Sequence, residues 1–160
     1  MGQEIERKWL PKGDAYKKMM DKKYLSRIEQ GYLCTDPVIR VRRDGDEYYL
    51  TYKGYGSLSR EEHNLPLNRD AYETLIAKCD GVVIRKDRYR VPLKDGHLLE
   101  IDEFMDPFSP LVIFEVEFTN EEVAESFSPP DYFGRDVTQD ARYTNAYLSS
   151  GGIDVNEILC

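Results

Sequence analysis

Near the start of the chain, Glu4-Ile5-Glu6-Arg7-Lys8 sets two carboxylates and an ammonium at alternate positions. Alternate side chains of an extended strand share a face, so Glu4, Glu6 and Lys8 would point one way and Ile5, Arg7 and Trp9 the other. The same discipline recurs downstream. Arg40 and Arg42 share a parity, as do Thr51 and Lys53, and Arg60, Glu62 and Asn64. Lys86, Arg88 and Arg90 follow, then Glu100 and Asp102, then Glu115 and Glu117. Facing carboxylates repel unless protonated or bridged by a cation, and clustered guanidiniums repel unless an anion sits among them. A surface carrying both sets relieves both repulsions by holding a divalent metal on its acidic wall and polyphosphate on its basic wall. Hard oxygen donors without a His cluster favour Mg²⁺ or Mn²⁺ over Zn²⁺.

The elements that must position these residues are mostly short strands. After the first strand, Pro11 and Gly13 mark a turn, and residues 14–23 read as a short helix capped by Asp14. Strands are expected over 26–33, 38–43 and 47–53, the last two joined at Asp44-Gly45, a hairpin signal. A strand over 58–67 precedes a helix over 69–79, capped by Asn68 and stopped by Gly81. Strands over 82–91, 98–104 and 112–118 follow. Thr119 with Glu122 reads as a capping box for a helix to about Phe127. A last helix is expected from Thr138 or Gln139 to about Ser149, closed by Gly151-Gly152. Short connections imply a largely antiparallel sheet.

Ile5, Trp9, Ile39, Val41, Leu50, Leu65, Val91, Ile101, Phe114, Val116 and Phe118 occupy the opposite parity and need cover, which the amphipathic helices can supply. Two arrangements satisfy the pattern. The charged faces look outward on a sandwich, or the sheet closes into a barrel with a charged lumen and helices packed outside. The length of 160 residues suits one domain spanning 1–160. A net charge of -8 argues against a general nucleic-acid surface but leaves room for a local basic pocket. Cys34, Cys79 and Cys160 are odd in number and lack a C-x-x-C, which argues against a disulfide framework or a thiolate zinc site and fits a reducing cytoplasm. There is no apolar signal core and no run of membrane-spanning length, so no membrane association is expected.

The ordered motifs resemble those of the CYTH superfamily, the triphosphate tunnel metalloenzymes. E-x-E-x-K at Glu4, Glu6 and Lys8 is followed by Q-G-Y-L from Gln30, R-V-R from Arg40 and T-Y-K-G from Thr51. Then come R-x-E from Arg60, K-x-R-Y from Lys86, E-I-D from Glu100 and E-V-E-F from Glu115, with Val137-Thr138 and Arg142-Tyr143 last. The likeness spans nearly the whole chain and is nearest to compact bacterial inorganic triphosphatases. It implies an α+β fold: a closed, mainly antiparallel barrel of about eight strands, its charged lumen hydrolysing the terminal phosphate of a triphosphate with Mg²⁺ or Mn²⁺. The substrate it favours is inorganic tripolyphosphate. Glu4, Glu6 and Glu117 are implied as metal ligands, with Glu115, Glu62, Glu100 and Asp102 holding water, a second metal or neighbouring cations. Lys8, Arg40, Arg42, Lys53, Arg60, Lys86 and Arg88 are implied to grip phosphate, and Tyr32 with Lys86 to take part in catalysis. Asn64 departs from the pattern, standing where many relatives carry a second Glu.

Other chemistries lack their residues. His63 and His97 sit in no nucleophile motif, and no G-x-S-x-G or Walker loop occurs. Paired carboxylates alone would suit glycoside hydrolysis, but that leaves the facing cations unexplained. Nucleoside or thiamine triphosphatase, adenylate cyclase and a non-catalytic polyphosphate binder stay as alternatives. The oligomeric state stays open between monomer and homodimer.

Overall fold

The computed structural model describes residues 2–56, 58–151 and 154–159. Gly152, expected to close the last helix, and Cys160 lie outside them. Among the described residues nine strands run in chain order: β1 (Gly2–Pro11), β2 (Leu25–Thr35), β3 (Val38–Asp44), β4 (Glu47–Lys53), β5 (Ser59–Pro66), β6 (Asp80–Pro92), β7 (Leu98–Phe104), β8 (Val112–Glu117) and β9 (Phe133–Asp136). Their order in the sheet is β5-β4-β3-β2-β6-β7-β8-β1, and β1 pairs back onto β5. The eight strands therefore close into an antiparallel barrel, and β9 adds to the far end of β1.

Closure leaves no long free edge, and it turns one parity of every strand inward. Register keeps that parity in phase around the ring. Glu4 lies opposite Arg60, Glu6 opposite Glu117 and Lys8 opposite Glu115. Arg40 faces Thr51, Arg88 faces Asp102, and Glu100 faces both Arg90 and Glu115. The turn from β3 to β4 places Gly45 at φ +61°, a conformation that glycine adopts without a Cβ penalty.

The outward parity builds the apolar packing. Ile5, Trp9, Ile101, Phe114, Val116 and Phe118 join Phe127 and Phe133 in one buried cluster over β1, β7 and β8. Full burial of such side chains contributes about 1.5–3 kcal/mol each. Arg7, on the same outer face, bonds Ala124 O at 2.8 Å and Asp136 at 2.9 Å and stacks over Trp9. It thus ties two distant segments to β1. A second cluster is built instead from the inward parity, where Val38, Ile84, Phe104 and Ile113 meet Tyr143, Leu148, Val155 and Ile158 from the C-terminal segment. Leu65, expected to need cover, is 58% exposed instead.

Among the described residues there are four α-helices: α1 (Arg69–Ile76), α2 (Glu121–Ser126), α3 (Asn145–Ser149) and α4 (Val155–Ile158). Asn68 caps α1 as expected, accepting from Ala71 N at 2.7 Å. The helix seats against β2 at Gly31, where a Cβ would meet Cys79 Sγ at 2.8 Å. Three local expectations need correction. Residues 14–23 form two 3-10 turns, because Asp21 caps Lys23 and Asp14 makes no side-chain cap. Asn120, not Thr119, caps α2. The last helix is broken: Asp140 caps a 3-10 turn over Ala141–Tyr143, and Thr144 starts α3 afresh. Nor do all helices lie outside, since α3 brings Asn145 to the lumen wall.

Candidate active site

The lumen holds a cavity of about 400 Å³. Glu4, Glu6, Lys8, Arg40, Arg42, Lys53, Arg60, Glu62, Arg88, Glu100, Glu115 and Glu117 all line it, as does Tyr32. Eight strands supply these groups, and the closed register is what brings them together. Of the residues expected at the site, Lys86 and Asp102 alone are not among the lining side chains.

Those two are buried behind the wall. Lys86 Nζ donates to Asp102 Oδ2 at 2.8 Å and to Asn145 Oδ1 at 3.0 Å. Arg88 grips the same carboxylate through Nε at 2.7 Å and Nη2 at 2.8 Å. Burial alone would raise the Asp102 carboxyl, but Arg88 and Lys86 overcome it and hold the group well below the usual range. Both Asp102 oxygens are thus taken by cations. Of the roles implied for Asp102, the geometry fits the holding of neighbouring cations and leaves no oxygen open to a metal. Burial pushes Lys86 down to about 8 against the pull of Asp102.

The basic wall is short of anions. Arg40 reaches Thr51 through Nη2 at 3.2 Å, but its buried Nε has no hydrogen-bond partner. Arg42 donates to the neutral Gln30 amide at 2.7 Å. Burial, with Arg40 and Arg88 nearby, pushes its guanidinium down to about 10. Lys8 has only distant carboxylates, Glu115 at 3.6 Å and Glu6 at 3.7 Å. Despite burial, Glu115, Glu6 and Glu4 raise its pKa.

The acidic wall is crowded in turn. Burial, then Glu4, Glu62, Glu100 and Glu6, push the Glu117 carboxyl up to about 7. Burial also raises Glu100 against the pull of Arg88, and Glu115 adds to the rise. Glu4 Oε1 accepts from Lys53 at 2.9 Å, while Oε2 lies 2.7 Å from that ammonium without a directed hydrogen bond. Among the described residues no three acidic, His or Cys side chains already converge as a metal site. Glu4 is held by Lys53, and Glu6 lies 3.7 Å from Lys8. The donor set fits a hard divalent ion: carboxylate oxygens crowd one wall, and their mutual repulsion helps push Glu117 up to about 7.

Asn64 has a defined place. It accepts from Thr51 Oγ1 at 2.6 Å and donates to Glu62 at 3.0 Å, so the amide links Arg40's partner to the acidic wall. Arg90 bonds Asp44 at 2.7 Å and is about one-third exposed, a rim residue. Arg142 pairs with Asp140 at 2.6 Å, and His63 and His97 each pair with an adjacent acid. No hydrogen bond joins Tyr32 and Lys86 among the described residues; Tyr32 OH accepts from Gln30 at 3.3 Å. Gln30, fully buried between Tyr32 and Arg42, went unassigned in the sequence, although it opens the Q-G-Y-L motif. Asn145 was also missed. It carries no charge and lies in a segment with no strand parity to flag it.

The CYTH domain family matches residues 2–128. An inorganic triphosphatase of Nitrosomonas europaea is 39% identical over 153 residues, covering 91% of this chain and 96% of its own. An inorganic triphosphatase of Acetivibrio thermocellus is 41% identical over 153 residues, covering 92% and 94%. The crystal structure of the inorganic triphosphatase NE1496 superposes with a TM-score of 0.67 at 36% identity, over 94% of this chain and 97% of that one.

Proposed function

The chain belongs to the CYTH domain family, and from that premise we propose that it hydrolyses inorganic tripolyphosphate to pyrophosphate and orthophosphate. One observation carries the reading: a single lumen sets a basic wall, with Arg40 Nε left without an acceptor, beside an acidic wall where carboxylates crowd Glu117. Arg40, Arg42, Arg60 and Arg88, with Lys8 and Lys53, would grip the phosphate oxygens, the guanidiniums in pairs and the ammoniums as point charges. Glu4, Glu6 and Glu117 would hold Mg²⁺ or Mn²⁺, with Glu62, Glu100 and Glu115 around them. The bound metal supplies neutralisation of the charge that builds on the phosphate oxygens. Tyr32 faces the cavity and would orient the attacking water, whereas Lys86 stands behind the wall. Catalysis of this kind rests mainly on positioning and electrostatics.

The free thiols of Cys34 and Cys79 suit a cytoplasmic setting. Among the described residues no helix is long and apolar enough to cross a membrane. The cationic groups name phosphate contacts without naming a base pocket, which ranks tripolyphosphate above ATP. A phosphate-release panel over tripolyphosphate, ATP, thiamine triphosphate and pyrophosphate, under matched Mg²⁺ and Mn²⁺, tests the ranking. Tripolyphosphate should show the highest kcat/KM, about tenfold above ATP, which needs about 1.4 kcal/mol of differential binding. A higher value for ATP would replace the reading with nucleoside triphosphatase, and cyclic AMP as main product would remove the hydrolase class.

A further inference from the structure

Asn145 lies on α3, beyond the residues that the family pattern matches, yet it lines the lumen. It is 9% exposed, and its Oδ1 accepts from Lys86 Nζ at 3.0 Å. An ammonium only donates, so of the two ends of the amide it can pair only with the oxygen. The other branch, the Nδ2 amide, therefore cannot face Lys86. Lys86 does not line the cavity and Asn145 does, so the amide turns its donor side towards the lumen. Among the described residues that donor has no hydrogen bond, and Arg40 Nε, of another lining residue, also lacks an acceptor. Both are groups that a phosphate oxygen would complete.

We infer that Asn145 is a phosphate-contacting residue of the lumen, its amide aimed by the buried Lys86 ammonium. The inference rests on the reading of this lumen as a triphosphate site and gives that site a contact from the C-terminal segment. Lys86 then acts through Asn145, as a positioning residue that polarises a neutral donor without itself touching substrate. The ligand recognised is a terminal oxygen of a condensed phosphate, whatever group the chain carries at its other end.

Asn145→Asp separates this role from a structural one, because Asp has the same shape and still accepts from Lys86 but offers no N–H. The variant should melt at or above the wild-type temperature while kcat/KM falls about tenfold or more on both tripolyphosphate and ATP. Asn145→Leu, which loses both ends of the amide, should lower both the melting temperature and kcat/KM. Lys86→Met, which releases the amide from the ammonium that aims it, should lower kcat/KM on both substrates although Asn145 itself is unchanged. Wild-type kcat/KM for Asn145→Asp on both substrates would overturn the inference, as would full activity of Asn145→Leu. A wild-type preference for ATP with the same loss in Asn145→Asp would overturn only the substrate ranking and would support the phosphate contact. Absence of turnover on either substrate in the wild type would sink both readings.

Discussion

Two groups of charge on the inner face of the barrel are treated in opposite ways. Around Asp102 every charge is answered: Lys86 and Arg88 occupy both carboxylate oxygens, and Arg88 also reaches Glu115 and Glu100 at 3.1 Å. Around Glu117 and Arg40 the charges are unanswered, with acid crowding acid and a guanidinium nitrogen left without an acceptor. Buried charge costs several kcal/mol per ion unless it is paired. The paired group is framework. The unpaired group holds its cost until a ligand relieves it; of the paired group, Lys86 and Asp102 lie behind the wall while Arg88, Glu100 and Glu115 also line the cavity.

Breaking the framework should have the largest effect on the fold. Asp102→Asn removes the charge that holds Lys86 and Arg88 together, at a cost of about 3–5 kcal/mol. A melting temperature lower by on the order of 10 °C in a thermal scan is the expected result. An unchanged melting temperature would erase the distinction between the two groups.

Glu6→Gln should do the reverse. Glu6 faces Glu117 across the strands and, among the described residues, has only Lys8, at 3.7 Å, as a cationic partner. Its loss should leave the melting temperature nearly unchanged and lower metal-dependent phosphate release on the order of a hundredfold or more, since even outer-shell changes cost 10–100-fold in metal affinity. Near-wild-type turnover at low metal would remove Glu6 from the ligand set.

The smallest effect concerns pH. The Glu117 carboxyl lies near 7 when folded, above its ordinary 4.5. Such a group binds its proton more tightly in the folded state, so its contribution is fully present below the unfolded value and is lost as pH rises through the folded one. Without divalent metal, the melting temperature should fall between about pH 5 and pH 8, and Glu117→Gln should flatten that fall. Glu117 is exposed at the cavity rim, so solvent screening keeps the change to a few degrees. A slope equal in both proteins would show that Glu117 is not the strained group.

Much of this was legible in the sequence. Period-two charge marks the lumen face from Glu4 to Glu117, and the Asn68 and Asp44-Gly45 signals fall where the helix and the hairpin form. Elements held by contacts rather than by pattern were not legible. β9 spans only Phe133–Asp136 and exists because β1 offers it an edge. The last helix breaks because Asp140 and Thr144 each cap a new turn, a competition that hydrophobic spacing does not record.

Parity, then, is a property of the chain: alternation alone determined that the charged residues would share one surface, since a strand has no other way to arrange them. Which of them would be framework and which would face a ligand was decided by the tertiary structure. Glu100 and Asp102 are two residues apart with the same parity, but only Asp102 meets both Lys86 and Arg88 away from solvent. Asn145 reaches the site solely because the C-terminal segment folds back onto the barrel beside Ile84 and Phe104, an apolar contact made across half the chain. Pairing depends on distance in space, and no spacing along a sequence specifies that until the barrel closes.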